Sequence, residues 1–284
     1  MTAARTREAF KPVYDADGIT LYQGDCLEIL PQLEAVDHVI TDPPYSRDVY
    51  VRLGAPNSHA HSSDKSDIGL GRTAKTMKQA RKSVLDGRSG KAQGINHQYS
   101  SMSIEKLAAG DIGHIDEMIE PLAVEFARIV TRWCIVYSDV ETCHRWRAQL
   151  EGAGMRYVRT GAWVKPDPMP QFSGDRPSVG FEPCTIAHAK GPMRWNGGGL
   201  PAVWTYFTAK GSERPDHPCP KPLPLMRRLI EQFTDAGDLI LDPFAGSGTT
   251  LRAAKDLGRR AIGIEINPDY CNVAIERMAQ GVLL

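Results

Sequence analysis

Apolar residues fall along this chain in two alternating rhythms. Short apolar runs recur at Ile19-Thr20-Leu21-Tyr22, Asp37 to Thr41, Trp133 to Tyr137, Met155 to Val164, Pro183 to Ala189, Asp238 to Leu241 and Arg260 to Ile264, and each predicts a strand. Between Asp116 and Val130 the apolar positions Met118, Ile119, Leu122, Ala123, Phe126, Ile129 and Val130 instead follow a helical spacing. Further helices are predicted over Cys26 to Leu33, Val140 to Glu151 with Gly152 after its end, Leu223 to Phe233 with Pro222 near its first turn, Thr249 to Leu257, and Asn267 to Met278. About seven strands with helices between most of them predict an α/β fold: one doubly wound, mostly parallel sheet within a single domain over residues 12–284. The runs at Met155 to Val164 and Pro183 to Ala189 are expected to be antiparallel neighbours.

Two regions break the rhythm. Residues 46–113 are rich in Ser, Gly, His, Lys and Arg and carry little apolar periodicity, and from Lys65 to Lys91 eight basic residues face only Asp67 and Asp86. Such a stretch is a solvated insertion, a basic loop that orders over nucleic acid, or both. Its Lys75, Lys78, Arg81 and Lys82 suit phosphate contacts, which give salt-dependent affinity without sequence preference. Residues 190–216 are loop-like yet aromatic, holding Trp195, Trp204, Tyr206 and Phe207 around Gly197-Gly198-Gly199.

Composition narrows the function classes. The 284 residues are 42% hydrophobic and 24% charged, enough for a full core without disulfides. The net charge is zero, so nucleic-acid affinity has to come from local patches. Six scattered cysteines with no CxxC pair argue against a zinc site or disulfide scaffold and suit a reducing cytoplasm, and no metal is expected. No apolar stretch approaches the roughly 20 residues of a membrane helix, and Met1 to Lys11 is not a signal peptide.

Chemistry concentrates at two strand ends. The strand ending at Leu241 runs into Asp242-Pro243-Phe244-Ala245-Gly246-Ser247-Gly248-Thr249-Thr250, where two glycines permit a tight turn and close approach of backbone to ligand. The next strand ends in Glu265, placed to accept hydrogen bonds from both hydroxyls of a ribose. No GxxxxGK[ST] pattern is present, and Leu251 stands where a third glycine would complete GxGxxG, so the loop suits a nucleoside cofactor without a pyrophosphate. The earlier strand opens into Asp42-Pro43-Pro44-Tyr45. There a carboxylate and a carbonyl held by stiff prolines can accept the N–H groups of a planar exocyclic amine, and Tyr45 can stack on its ring. The plain alternative for each motif is a turn with a solvated acid.

The order of these motifs resembles the circularly permuted, or β, class of S-adenosylmethionine-dependent DNA amino-methyltransferases. In that class the catalytic tetrapeptide precedes the recognition region and the cofactor loop lies late in the chain. Gly24-Asp25-Cys26 resembles the segment lining the cofactor pocket, Trp163-Val164-Lys165-Pro166 the strand and loop at the base pocket, and His217-Pro218-Cys219-Pro220-Lys221-Pro222 the segment holding the cofactor's methionine end. The departure there is Cys219-Pro220 in place of Thr-Gln. The resemblance implies a Rossmann-like class I methyltransferase fold. It implies S-adenosylmethionine as cofactor, bound by Asp25, Cys26, Lys221, Pro222, Asp242, Phe244, Gly246, Ser247, Gly248, Thr249 and Glu265.

The same resemblance implies direct methyl transfer to an amine of a base flipped out of double-stranded DNA, with Asp42, Pro43, Pro44 and Tyr45 as the catalytic set. Adenine N6 is favoured over cytosine N4, because the cytosine enzymes more often carry Ser-Pro-Pro-Tyr. Target recognition falls to residues 190–216, with Arg194, Trp195, Lys210 and Arg214 as DNA contacts, while Trp204 and Phe207 are better suited to packing the loop. A bacterial or phage enzyme of a restriction-modification type, associated with the nucleoid and possible as a homodimer, is the expected setting. An RNA or protein amino-methyltransferase and a non-catalytic DNA-binding module are the competing classes. The motif order opposes the former, and the intact Asp42, Tyr45, Gly246, Gly248 and Glu265 oppose the latter.

Overall fold

The computed structural model describes residues 10–46, 115–170, 177–210 and 220–280. All belong to one of the chain's two units, Met1–Tyr50 with Gly113–Leu284. The other, Val51–Ile112, lies outside the described residues, and so do the expected phosphate contacts Lys75, Lys78, Arg81 and Lys82, together with Arg214 and the segment His217 to Cys219.

Nine strands among the described residues form one sheet: β1 (Tyr14–Ala16), β2 (Ile19–Gln23), β3 (His38–Thr41), β4 (Trp133–Tyr137), β5 (Arg156–Val164), β6 (Phe181–His188), β7 (Val203–Thr205), β8 (Leu239–Asp242) and β9 (Arg260–Glu265), in the order β1-β2-β9-β8-β3-β4-β6-β5-β7. The run from β2 to β4 is parallel throughout, and β6 is antiparallel to both β4 and β5, as the sequence predicts for the latter pair. The expected count of seven is corrected to nine. The two additions, β1 and β7, are three-residue edge strands, too short to show a period of two, and β7 lies inside a stretch read as loop.

The helices are α1 (Cys26–Ile29), α2 (Ile119–Ile129), α3 (Val140–Gly152), α4 (Leu223–Phe233), α5 (Thr249–Asp256) and α6 (Pro268–Ala279). The helix expected over residues 26–33 closes after one α-turn and continues as a 3-10 turn, Leu30–Gln32, because Pro31 has no N–H for the next i→i−4 bond. Among the described residues no helix is long and apolar enough to cross a membrane.

Every residue of β3 and β4 is buried, which is the signature of a sheet covered on both faces. Alternate side chains divide between the two layers. Val39, Cys134 and Val136 pack with α2 and α3, whereas Ile40, Ile135 and Tyr137 pack with α4 and α5. Since β9, β8, β3 and β4 are parallel neighbours, Glu265, Asp242, Asp42 and Asp139 all emerge at one edge of the sheet, where doubly wound folds bind ligands.

Candidate active site

Backbone geometry shapes the late loop. Asp242 ends β8 buried, its Oδ1 accepting the Thr41 hydroxyl at 2.7 Å and the Phe244 N–H at 3.2 Å, so the carboxylate ties the two neighbouring strand ends together. Burial raises its pKa, and these donors work against that rise. Gly246 and Gly248 adopt φ of 51° and 76°, in the left-handed region that favours glycine. A Cβ on Gly248 would stand 2.9 Å from the Ala274 Cβ, so α6 leaves no room for one.

Glu265, 9% exposed, accepts the Gly246 N–H through Oε2 and the Asn267 N–H through Oε1, both at 2.8 Å. Each oxygen keeps a lone pair for a further donor. Burial pushes its carboxyl above the ordinary value, with the amides of Asn267, Gly246 and Ile266 opposing. The Gly24 N–H donates to the Glu265 carbonyl at 3.0 Å, bringing Asp25 and Cys26 alongside. Asp25 caps α1 through the Leu27 N–H at 2.8 Å, and burial lifts the Cys26 thiol to about 12, which leaves it neutral. Phe244 packs toward the α2–α3 layer. The hydroxyls of Ser247 and Thr249 accept from Arg277 of α6, at 3.4 and 2.9 Å. A loop turned by two left-handed glycines, closed by a carboxylate whose oxygens are aligned by amides, fits a nucleoside.

The early loop leaves β3 at Thr41. Its far end is fixed where the Ser46 N–H donates to Asp139 Oδ2 at 2.8 Å, while Oδ1 of the same residue caps α3 through the Thr142 N–H at 2.7 Å. Within the loop, Asp42 Oδ2 pairs with the Lys221 ammonium. Its Oδ1 is buried and has no hydrogen-bond partner among the described residues. Lys221 also pairs with Glu182 Oε2 at 2.8 Å and donates to the Tyr45 hydroxyl at 3.4 Å, its nitrogen 5.0 Å from the Tyr137 ring centre. Glu182 Oε1 is taken by Lys165.

Burial lifts the Asp42 carboxyl to about 6, with Glu182 and Asp242 adding to the rise and Lys221 opposing it. In Glu182 burial is outweighed by Lys221 and Lys165, which hold it in its charged form. Lys221 is raised: burial disfavours its charge, but Asp42 and Glu182 prevail.

The structure therefore brings Asp42, Pro43, Pro44, Tyr45, Asp25, Cys26, Lys221, Pro222, the loop from Asp242 to Thr249, and Glu265 to one edge. The Lys221 ammonium, expected at the cofactor, points instead to the tetrapeptide. Lys210 lies at this edge as well. It pairs with Asp167 at 2.6 Å, just beyond the end of β5, and Thr208 is bound to the same carboxylate. Arg194 and Trp195 do not join the others. The Arg194 carbonyl accepts from Trp133 at the start of β4, its guanidinium pairs with Asp235 at 3.3 Å, and Trp195 packs on Phe233 at 4.7 Å. They sit on the opposite edge, about 13 Å of strand away. Glu182 and Tyr137 were not singled out from sequence. Glu182 directly precedes the apolar run at Pro183, and an acid facing Lys165 across two predicted antiparallel neighbours was the available signal.

Known proteins share the family and the fold. Residues 36–276 match the family described as DNA methylase. Type II methyltransferase M2.DpnII of Streptococcus pneumoniae is 35% identical over 143 residues, a match spanning 45% of this chain and 53% of that protein. Two solved structures share the fold. M1.HpyAVI, in complex with SAM, has a TM-score of 0.60 at 24% identity and covers 92% of this chain and 100% of its own. The cytosine-N4-specific PvuII DNA methyltransferase has a TM-score of 0.63 at 15% identity, covering 97% and 91%. Matched over most of its length and folded as these enzymes are, the chain belongs to the DNA methylase family of N6-adenine and N4-cytosine amino-methyltransferases, whose cofactor is S-adenosylmethionine.

Proposed function

We propose that this protein methylates the exocyclic N6 of adenine at specific sites in double-stranded DNA, using S-adenosylmethionine. One observation carries the proposal. A buried carboxylate oxygen without a partner among the described residues, Asp42 Oδ1, follows the strand next to a loop fitted for a nucleoside. When bound, the cofactor supplies an electrophilic methyl on its sulfonium sulfur. Glu265 takes the ribose hydroxyls, and the backbone from Phe244 to Gly248 approaches the nucleoside. Asp42 Oδ1 and the Pro43 carbonyl accept the two N–H bonds of a flipped base, orienting the nitrogen lone pair and increasing its electron density. Tyr45 offers its ring for stacking. The chain order, with Asp42 ahead of Asp242, supports a circularly permuted arrangement of this site.

Recognition falls to the catalytic-edge part of residues 190–216, represented by Lys210, and not to Arg194 and Trp195 on the opposite edge. Asp at position 42 favours adenine over cytosine. The test is incubation with tritiated cofactor and double-stranded DNA, followed by nucleoside mass spectrometry. N6-methyladenine supports the proposal, N4-methylcytosine replaces its substrate, and no label in DNA overturns it.

A further inference from the structure

The family motifs account for Asp42 and Lys221 but give Glu182 no part. Yet both its oxygens face cations: Oε1 is bonded by Lys165 at the end of β5, and Oε2 lies 2.8 Å from the ammonium of Lys221 before α4, an ion pair without hydrogen-bond alignment. With Asp42 these residues make a row of alternating charge, Lys165–Glu182–Lys221–Asp42, drawn from four separate parts of the fold. Its two central side chains are 14% and 7% exposed, so solvent screens them weakly.

A lysine ammonium is a point charge on a flexible stem and does not choose a single oxygen unaided. Here it is held from three sides. Glu182 pulls it from β6, the Tyr45 hydroxyl accepts from it at 3.4 Å, and the rings of Tyr137 and Trp163 lie 5.0 and 5.8 Å away. The outcome at Asp42 is asymmetric: Oδ2 is engaged, and Oδ1 is buried with no hydrogen-bond partner among the described residues.

We propose that Glu182 is a positioning residue for methyl transfer, clamping Lys221 onto Asp42 Oδ2 so that Oδ1 alone is left to accept the target amine. The assignment rests on the role given to Asp42 above. Leaving one oxygen unpartnered costs stability in the empty site and is relieved when an N–H arrives, so the clamp prepares the acceptor before the base enters.

The groups facing Asp42 are Lys221 before α4, Glu182 on β6, Asp242 at the end of β8, Tyr137 on β4 and Tyr45 of its own loop, with Lys165 acting through Glu182. The sign of a charge change follows. Asp42 accepts an N–H as the anion, so transfer is lost as pH falls through its pKa. Glu182→Gln removes a neighbouring anion and moves this acid limb to lower pH. Lys165→Met removes a cation and moves it to higher pH.

The experiment is the pH profile of kcat, together with a carbon-13 titration of the Asp42 carboxyl in DNA-free protein, for the wild type, Glu182→Gln, Glu182→Asp and Lys165→Met. Expected are opposite shifts of roughly half to one pH unit in the first and last variants. At pH 8 a roughly tenfold fall in kcat is expected for Glu182→Gln with cofactor KM unchanged, and partial recovery for Glu182→Asp. Coincident titrations in all four proteins overturn the clamp, even if kcat falls. If Glu182→Gln does not fold, an unmoved Lys165→Met titration overturns it equally. A wild type that transfers no methyl refutes the functional proposal instead, and the carbon-13 shifts still decide the clamp.

Discussion

The two edges of this sheet handle buried charge in opposite ways. At the edge where the parallel strands begin, polar groups close on one another. Arg132 bonds Asp238 at 2.6 Å and Asp235 at 3.2 Å, Asp238 also takes the His38 ring at 2.9 Å, and Asp37 accepts the Leu239 N–H at 2.8 Å. At the edge where the strands end, the charges stop one partner short. Among the described residues, the row from Lys165 finishes at an oxygen with no hydrogen-bond partner, and the Tyr137 hydroxyl beside it has none either. The first network ties strand starts together, and the second ends on a carboxylate oxygen that the proposed function gives to the substrate. Both edges pair acids with bases, so counting ion pairs would not tell them apart; the kind of atom left over among the described residues does, ring nitrogens of His38 and His188 at the first edge and a carboxylate oxygen of Asp42 at the second.

Breaking the open end should have the largest effect. Asp42→Ala is expected to lower methyl transfer by roughly a thousandfold or more, with cofactor affinity within a few-fold of wild type, measured by tritium transfer and calorimetry. Breaking the closed edge should do the reverse. Arg132→Ala takes one partner each from Asp238 and Asp235, which keep His38 and Arg194, and is expected to cost about 1 kcal/mol, roughly 2–4 °C in melting temperature, while kcat holds. The closed edge also predicts a pH dependence. Burial lowers the pKa of both His38 and His188 below the ordinary 6.5, so the folded state favours the neutral rings. The unfolded chain then binds more protons as pH falls through 6.5, so this part of the stability is present above that pH and declines below it. Thermal melts from pH 8 to 5.5 check it, and replacing both histidines by Gln should flatten the slope. The smallest effects should separate two surface cations. Lys210→Ala is expected to weaken DNA binding a few-fold and reduce the salt slope by about one, whereas Arg194→Ala should leave both unchanged, by fluorescence anisotropy across a salt series.

What the sequence conveyed follows from range. Asp42 and Asp242 could be read because each ends an apolar run and opens a turn whose residues have a local purpose. The antiparallel pairing of β5 with β6 and the alternation of helix and strand were visible for the same reason. β1 and β7 were not, because three residues carry no period; β7 also pairs with β5, distant in the chain, whereas β1 folds back on β2 across Asp17-Gly18, a local hairpin signal that the apolar pattern alone does not show. Arg194 was grouped with Lys210 because 16 positions in a loop look contiguous. The intervening β7 carries the chain from one edge of the sheet to the other. Glu182 escaped notice because its meaning lies in Lys221, which only the fold brings within 2.8 Å.

The bond from the Thr41 hydroxyl to Asp242 Oδ1, 2.7 Å long, joins the strand that bears one loop to the strand that bears the other. Ordering of either loop is then expected to constrain the second, which would link the two ligands thermodynamically. Occupancy of the nucleoside loop should raise affinity for DNA, and DNA must raise affinity for the cofactor by the same factor. Thr41→Val should bring that factor toward one, measured as the ratio of cofactor Kd without and with DNA. A single hydroxyl would then decide whether the enzyme meets its two ligands independently or as a cooperative pair.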